Sequence, residues 1–304
     1  SLLRAVGNSV TPLLFLLFSS GVNIGLDIWF MGPLEMGVQG AAAATVLSQG
    51  ISAGLGFFYI IRNYQELRFS REEFKAGSGF VMDMFWTGLS MALMTAIYNI
   101  GSVILQSSIN ALGSVYIAAQ VGGRRLAEFF YIPGLALGTA IATYSSQNYG
   151  AGRRGRIIKG VKTAFLLYGI WWGIAMVLAF SFAPAAVRLI TGSNSREVIE
   201  NAVLYVHVSI PVVPPMAALV ILRNMMQGIQ RRIAPLLCSG LEMLGKVIFA
   251  FWAVPAWGYP AVCVCEPVTW VVCFLFISGA VFLCREEFRD GAEPESGEPR
   301  IDGA

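Results

Sequence analysis

Two stretches of this chain, 39–61 and 163–187, contain no Asp, Glu, Lys or Arg at all. The hydrocarbon core of a bilayer is about 30 Å thick and takes about 20 apolar residues of helix to cross. Further stretches of similar length carry very few charges. Together they predict eight spans, at roughly 8–31, 39–61, 79–106, 114–146, 160–187, 201–224, 233–257 and 258–284. In lipid every backbone polar group needs an internal partner, so only helices or closed barrels cross. These segments are long and lack the short alternating pattern of barrel strands. The expected fold class is therefore all-α, a polytopic transmembrane helix bundle of eight spans.

Composition excludes the competing classes. Of 304 residues, 56% are hydrophobic and 13% charged, whereas a soluble domain carries about 45–50% and about 25%. That excludes a soluble enzyme, a disordered chain and a nucleic-acid binder, and leaves the lipid bilayer as the first expected partner. The five cysteines are odd in number and sit in apolar context, so no disulfide framework is expected. His207 is the single histidine, which leaves no His-based metal cluster or triad and reads as a structural residue. Cys263-x-Cys265 lacks further ligands at metal spacing and reads as apolar packing. No cofactor is expected, and no catalytic pair stands out.

Net charge is +3, but placement says more than the sum. With eight alternating helices, one side receives Arg4, then Arg62, Arg68, Arg71 and Lys75, then Arg153, Arg154, Arg156, Lys159 and Lys162, then Arg231 and Arg232, and finally Arg285 and Arg289. The opposite loops offer only Arg188 and Arg196. The positive-inside rule makes the first side cytoplasmic, with both termini there. The basic run 153–162 is expected to meet anionic headgroups. The segment 287–304, rich in Gly, Pro, Glu and Asp, is expected to be disordered.

The chain also repeats itself. Pro12-Leu13-Leu14 followed by Ser20 to Asp27 lies over Pro235-Leu236-Leu237 followed by Ser239 to Lys246, and Gly37 to Thr45 lies over Gly258 to Glu266. The register sets Asn23 on Glu242, Asp27 on Lys246 and Thr45 on Glu266. Polar residues inside spans are costly, so their coincidence is informative. A parallel repeat of six plus six helices would need roughly 150 further residues and four helices before residue 1. The expectation is an N-terminally truncated transporter.

Several ordered motifs now resemble one family. Ile117-Ala118-Ala119, Arg125-Leu126, Pro133-Gly134 and Gln147 to Gly152 look like the eighth helix and following loop of the multidrug and toxic compound extrusion (MATE) family. Asn23 to Asp27, Gly37 to Ala42 and Ala44-Thr45 are similar to its fifth and sixth helices. Leu222-Arg223, Gln227-Gly228, Pro235, Glu242, Glu266-Pro267 and Trp270 resemble its tenth to twelfth. The resemblance implies helices five to twelve of a two-lobe fold. Residues 1–62 would be the remnant of the N-terminal lobe, 63–78 a cytoplasmic linker and 79–286 the C-terminal six-helix lobe. It implies a plasma-membrane antiporter, coupled to Na⁺ or H⁺, that exports drugs or other amphipathic organic cations. The alternatives are a lipid-linked precursor flippase of a related fold, or a non-transporting fragment that depends on a partner such as the missing helices.

Three groups of residues are candidates for the chemistry. Asn23 and Asp27, at i and i+4, share one helix face, and Thr45 lies where the next helix would meet them. Their hard oxygens suit Na⁺, while Asp27 alone suits a proton. The resemblance implies a cation site here, although the family's aspartate from the first helix is absent and Ile28 stands where a proline is common. The competing reading is helix packing. Glu242 and Lys246, also at i and i+4, are spaced for a helical salt bridge, with Glu266 on the following helix. They form either a secondary polar centre that takes a proton or cationic drug, or a structural network. Arg124, Arg125 and Glu128, beside Gly122-Gly123, are candidates for a substrate cavity, with Phe129, Phe130 and Tyr131 as aromatic faces. Asp83 is either a further cavity residue or a helix-start residue.

Overall fold

The computed structural model describes residues 3, 7–8, 10–64 and 77–285, without the side chains at 78, 80 and 83. The expected tail, the N-terminal Arg4 and most of the 63–78 linker lie outside the described residues. Among the described residues eight helical segments are long and apolar enough to cross a membrane, the expected number. The helices are α1 (Val10–Met31), α2 (Gly37–Asn63), α3 (Ser78–Leu112), α4 (Ser114–Gly150), α5 (Arg154–Thr191), α6 (Arg196–Ser209), α7 (Val213–Gly228), α8 (Ile233–Ile248), α9 (Val254–Trp257) and α10 (Tyr259–Leu283). Two spans are composite. A 3-10 turn over Ile210–Val212 joins α6 to α7, where Pro211, Pro214 and Pro215 remove three backbone donors within five residues. A π-helical segment, Phe249–Ala253, joins α8 to α9. The 38 residues of α5 would reach about 57 Å at 1.5 Å per residue. That exceeds the hydrocarbon core, so α5 carries its basic start at Arg154 beyond it.

The chain divides into two compact units, Ser1–Met82 and Asp83–Ala304. In the first, α1 and α2 form an antiparallel hairpin. A stripe of small residues on α2, Gly40, Ala44 and Ser48, is buried. A Cβ on Gly40 would sit 3.2 Å from the Phe30 backbone, so only glycine allows this approach. Ser19 of α1 donates to the Ser48 carbonyl at 2.7 Å. Outward faces carry exposed Leu13, Leu17, Phe18 and Ile28, as lipid contact requires.

The second unit is built around α4, which packs against α5, α6 and α7, while α10 packs on α6, α7 and α8. Its interior holds Tyr205, Ile210, Leu219, Ile221, Met225 and Met226, each essentially inaccessible. The expected glycine approach is present. Gly122 faces Thr191 and Val187 of α5, and a Cβ on Gly123 would lie 2.9 Å from the Ala202 carbonyl of α6. Gly258, with φ 64° and ψ −143°, ends α9 and starts α10 in a conformation that favours glycine.

Candidate functional site

Unit 2 holds a partly open cavity of about 560 Å³ between α3, α4, α7, α8 and α10. Its wall combines Arg124, Glu128, Arg223, Glu242 and Glu266 with the rings of Tyr98, Tyr131 and Trp270. Ile132, Leu135, Met216, Leu219 and Val220 complete it. The volume is that of a drug-sized ligand site, mostly apolar with a few polar groups. Tyr131 and Trp270 meet edge to face, centroids 5.5 Å apart. Of the three aromatic candidates only Tyr131 reaches the cavity. Phe130 is in the core and Phe129 is exposed.

The helical salt bridge expected between Glu242 and Lys246 is replaced by two separate interactions. Glu242 Oε2 accepts from Arg223 Nη2 at 2.7 Å. Lys246 Nζ donates to Ser102 Oγ at 2.8 Å and lies 3.6 Å from the centroid of Tyr98. The reason is burial. At an exposed surface the i, i+4 partner is the convenient one, but inside the bundle the permanently charged guanidinium needs a carboxylate, and Glu242 supplies it through a single Nη2 contact. Gly101 makes the lysine contact possible, because a Cβ there would be 3.1 Å from the Met243 Cα. Glu266 takes neither cation. Its Oε2 accepts from the buried hydroxyl of Tyr205 at 2.6 Å. Glu242, Lys246 and Glu266 are all buried.

Arg124 and Glu128 pair across one turn at 3.5 Å, as the spacing predicts. Arg125, expected in the cavity, is exposed and takes no part in its wall. One residue further round the helix places it about 100° away from Arg124. The expectation for Asp83 concerns a side chain outside the described residues. The cluster of Arg124, Arg223 and Lys246 with Glu128, Glu242 and Glu266 holds three cations and three anions, formally neutral.

Unit 1 holds a different arrangement. Asn23 Nδ2 and Asp27 Oδ1 are buried and have no hydrogen-bond partner. They continue the face that Ser19 presents to α2, since 19, 23 and 27 are spaced four apart. Thr45 does not complete a triad with them. Its hydroxyl bonds back to the Ala41 carbonyl at 2.9 Å, and the residue is exposed. A threonine in an apolar helix has that carbonyl always within reach. Buried polar atoms without partners are rare and costly, which sets one donor on Asn23 and one acceptor on Asp27 apart in this unit.

Tyr98, Ser102, Tyr205 and Arg223 are the residues that sequence reasoning did not assign to the site. Arg223 carried a signal. It is the one Asp, Glu, Lys or Arg between 201 and 224, and a lone guanidinium in a span demands a carboxylate from another. His207 stacks on Phe180, centroids 4.3 Å apart. Cys263 and Cys265 are buried free thiols.

Comparison with known proteins agrees with this architecture. The MatE family model matches residues 90–252. The probable multidrug resistance protein YpnP of Bacillus subtilis is 31% identical over 62% of this chain and 42% of its own length. The probable multidrug resistance protein NorM of Thermotoga maritima is 24% identical over 68% of this chain and 45% of its own. The chain thus spans less than half the length of these relatives. A Vibrio cholerae MATE transporter, VcmN, superposes with a TM-score of 0.80 at 18% identity, over 94% of this chain and 66% of that one. That likeness shows the fold, and the sequence match shows the family: the chain belongs to the multidrug and toxic compound extrusion family.

Proposed function

We propose that this chain is part of a cation-coupled antiporter that exports amphipathic organic cations, and that the cavity of unit 2 holds the cargo. The observation that carries this reading is the wall itself. Glu128, Glu242 and Glu266 supply negative charge beside the faces of Tyr98, Tyr131 and Trp270, with an apolar remainder. A lipophilic cation gains cation–π and Coulomb attraction there and loses little hydration. A wall with both signs of charge fits a cation of modest size better than the polyanionic headgroup of a lipid-linked precursor, which would call for a basic cavity. The multidrug resistance names of the relatives point the same way.

Coupling is assigned to Asn23 and Asp27. The unpartnered buried carboxylate oxygen Oδ1 of Asp27 suits one small cation, Na⁺ or H⁺, and binding there does work only if it favours the state from which cargo leaves. The excess of basic residues in alternate loops supports a plasma-membrane orientation with both ends of this chain cytoplasmic. The test is dye efflux from cells carrying the whole transporter, with Asp27→Asn compared with the parent. Loss of ion-driven efflux with dye binding retained supports the assignment. Undiminished coupled efflux removes Asp27 from the mechanism.

A further inference from the structure

Resting on that reading of the cavity, we propose that Lys246 exchanges its proton for the cationic cargo, charged while the cavity is empty and neutral while a cation occupies it. Lys246 is 2% exposed, and among the described residues no carboxylate lies within ion-pairing distance of it. Neither nearby carboxylate touches it: Glu242 pairs with Arg223 at 2.7 Å, while Glu266 accepts from the Tyr205 hydroxyl at 2.6 Å and balances the lysine charge only from a distance. The ammonium is held instead by neutral groups. Ser102 donates its own hydroxyl proton to the Tyr98 carbonyl at 3.1 Å, so its oxygen is left to accept from Lys246. The Tyr98 ring supplies the rest of the support, with Nζ 3.6 Å from its centroid.

That ring is the link to cargo, because Tyr98 also forms part of the cavity wall. A cation bound in the cavity shares one aromatic system with the ammonium and repels it through a low-dielectric interior. Of the three cations in the cluster, only lysine can relieve that repulsion. Guanidinium does not deprotonate in proteins, whereas an ammonium does. The groups around it are Tyr98 and Ser102 from α3, Arg124 from α4, Glu242 from α8, and Cys265 and Glu266 from α10. The exchange is balanced: one cargo cation enters, one proton leaves Lys246 to solvent, and the net charge of the cluster is unchanged.

The test is proton release on binding tetraphenylphosphonium to the purified protein in detergent, measured by titration calorimetry in buffers of different ionisation enthalpy. The parent protein is expected to release close to one proton per cation bound, with affinity rising up to about tenfold per pH unit, as one-for-one linkage requires. Lys246→Met is expected to bind without release and with no such pH dependence. Lys246→Arg, which keeps the charge but cannot deprotonate, is expected to bind more weakly and also without release. Binding by the parent without proton release, or release that persists in Lys246→Met, overturns the exchange and leaves the cargo cavity standing. Absence of binding by the parent overturns the cargo reading as well. Lys246→Arg keeps the test open if the methionine variant fails to fold.

Discussion

Among the ion pairs of the described residues, Glu242 with Arg223 is the most deeply buried. Both sit in apolar spans, and removing one partner strands a buried charge. Glu242→Ala is therefore expected to destabilise unit 2 by about 3–5 kcal/mol. Replacing both partners together, as Arg223→Met with Glu242→Leu, is expected to recover most of that loss, since apolar isosteres of a buried pair are often neutral or better. Thermal unfolding in detergent, followed by size-exclusion fluorescence, checks both. An equal loss in the single and double variants would contradict the account. The contrast with Asn23 and Asp27 is instructive. The repeat sets these positions over Glu242 and Lys246, yet one pair is satisfied by neighbours and the other is left with unpartnered atoms. Similar register thus carries charge-paired and hydrogen-bonded groups in one unit and a pair with unpartnered atoms in the other.

At the scale of elements, close approach decides which helices can meet. A side chain at Gly123 would press on the Ala202 carbonyl at 2.9 Å, and backbone has little room to yield. Gly123→Val is expected to cost about 1–3 kcal/mol through overpacking between α4 and α6. Gly173, on α5, has nothing within 4 Å of a Cβ, so Gly173→Ala is expected to be neutral or to stabilise by up to about 1 kcal/mol through helix propensity. The same unfolding measurement separates the two. Elements of this kind were largely legible beforehand. Charge-free runs mark spans, Gly258 marks the joint between α9 and α10, and Gly122-Gly123 marks a crossing. What local spacing could not show was which residues face one another across the bundle. Tyr205 lies 61 residues from Glu266, and Lys246 lies 144 from Ser102. Spacing favoured Glu242 with Lys246, because an i, i+4 rule sees only one helix. The lone charge in span 201–224 was the clue to Arg223, and it required matching charges between spans.

For the whole molecule, two compact units divide the polar chemistry. Unit 1 offers a small, unsatisfied Asn–Asp pair. Unit 2 offers a drug-sized cavity whose wall carries two arginines, three glutamates and aromatic rings. The central claim is that the cavity of unit 2 receives an organic cation. It is tested most directly by equilibrium binding of ethidium to the purified protein, read by fluorescence anisotropy, in the parent and in Trp270→Ala and Glu266→Gln. Losing an aromatic face or a carboxylate from a desolvated wall should weaken binding about tenfold in each variant, the equivalent of about 1.4 kcal/mol. Arg125→Gln, outside the wall, should leave it unchanged. Binding that is equal in the parent, Trp270→Ala and Glu266→Gln would place the cation elsewhere and contradict the account.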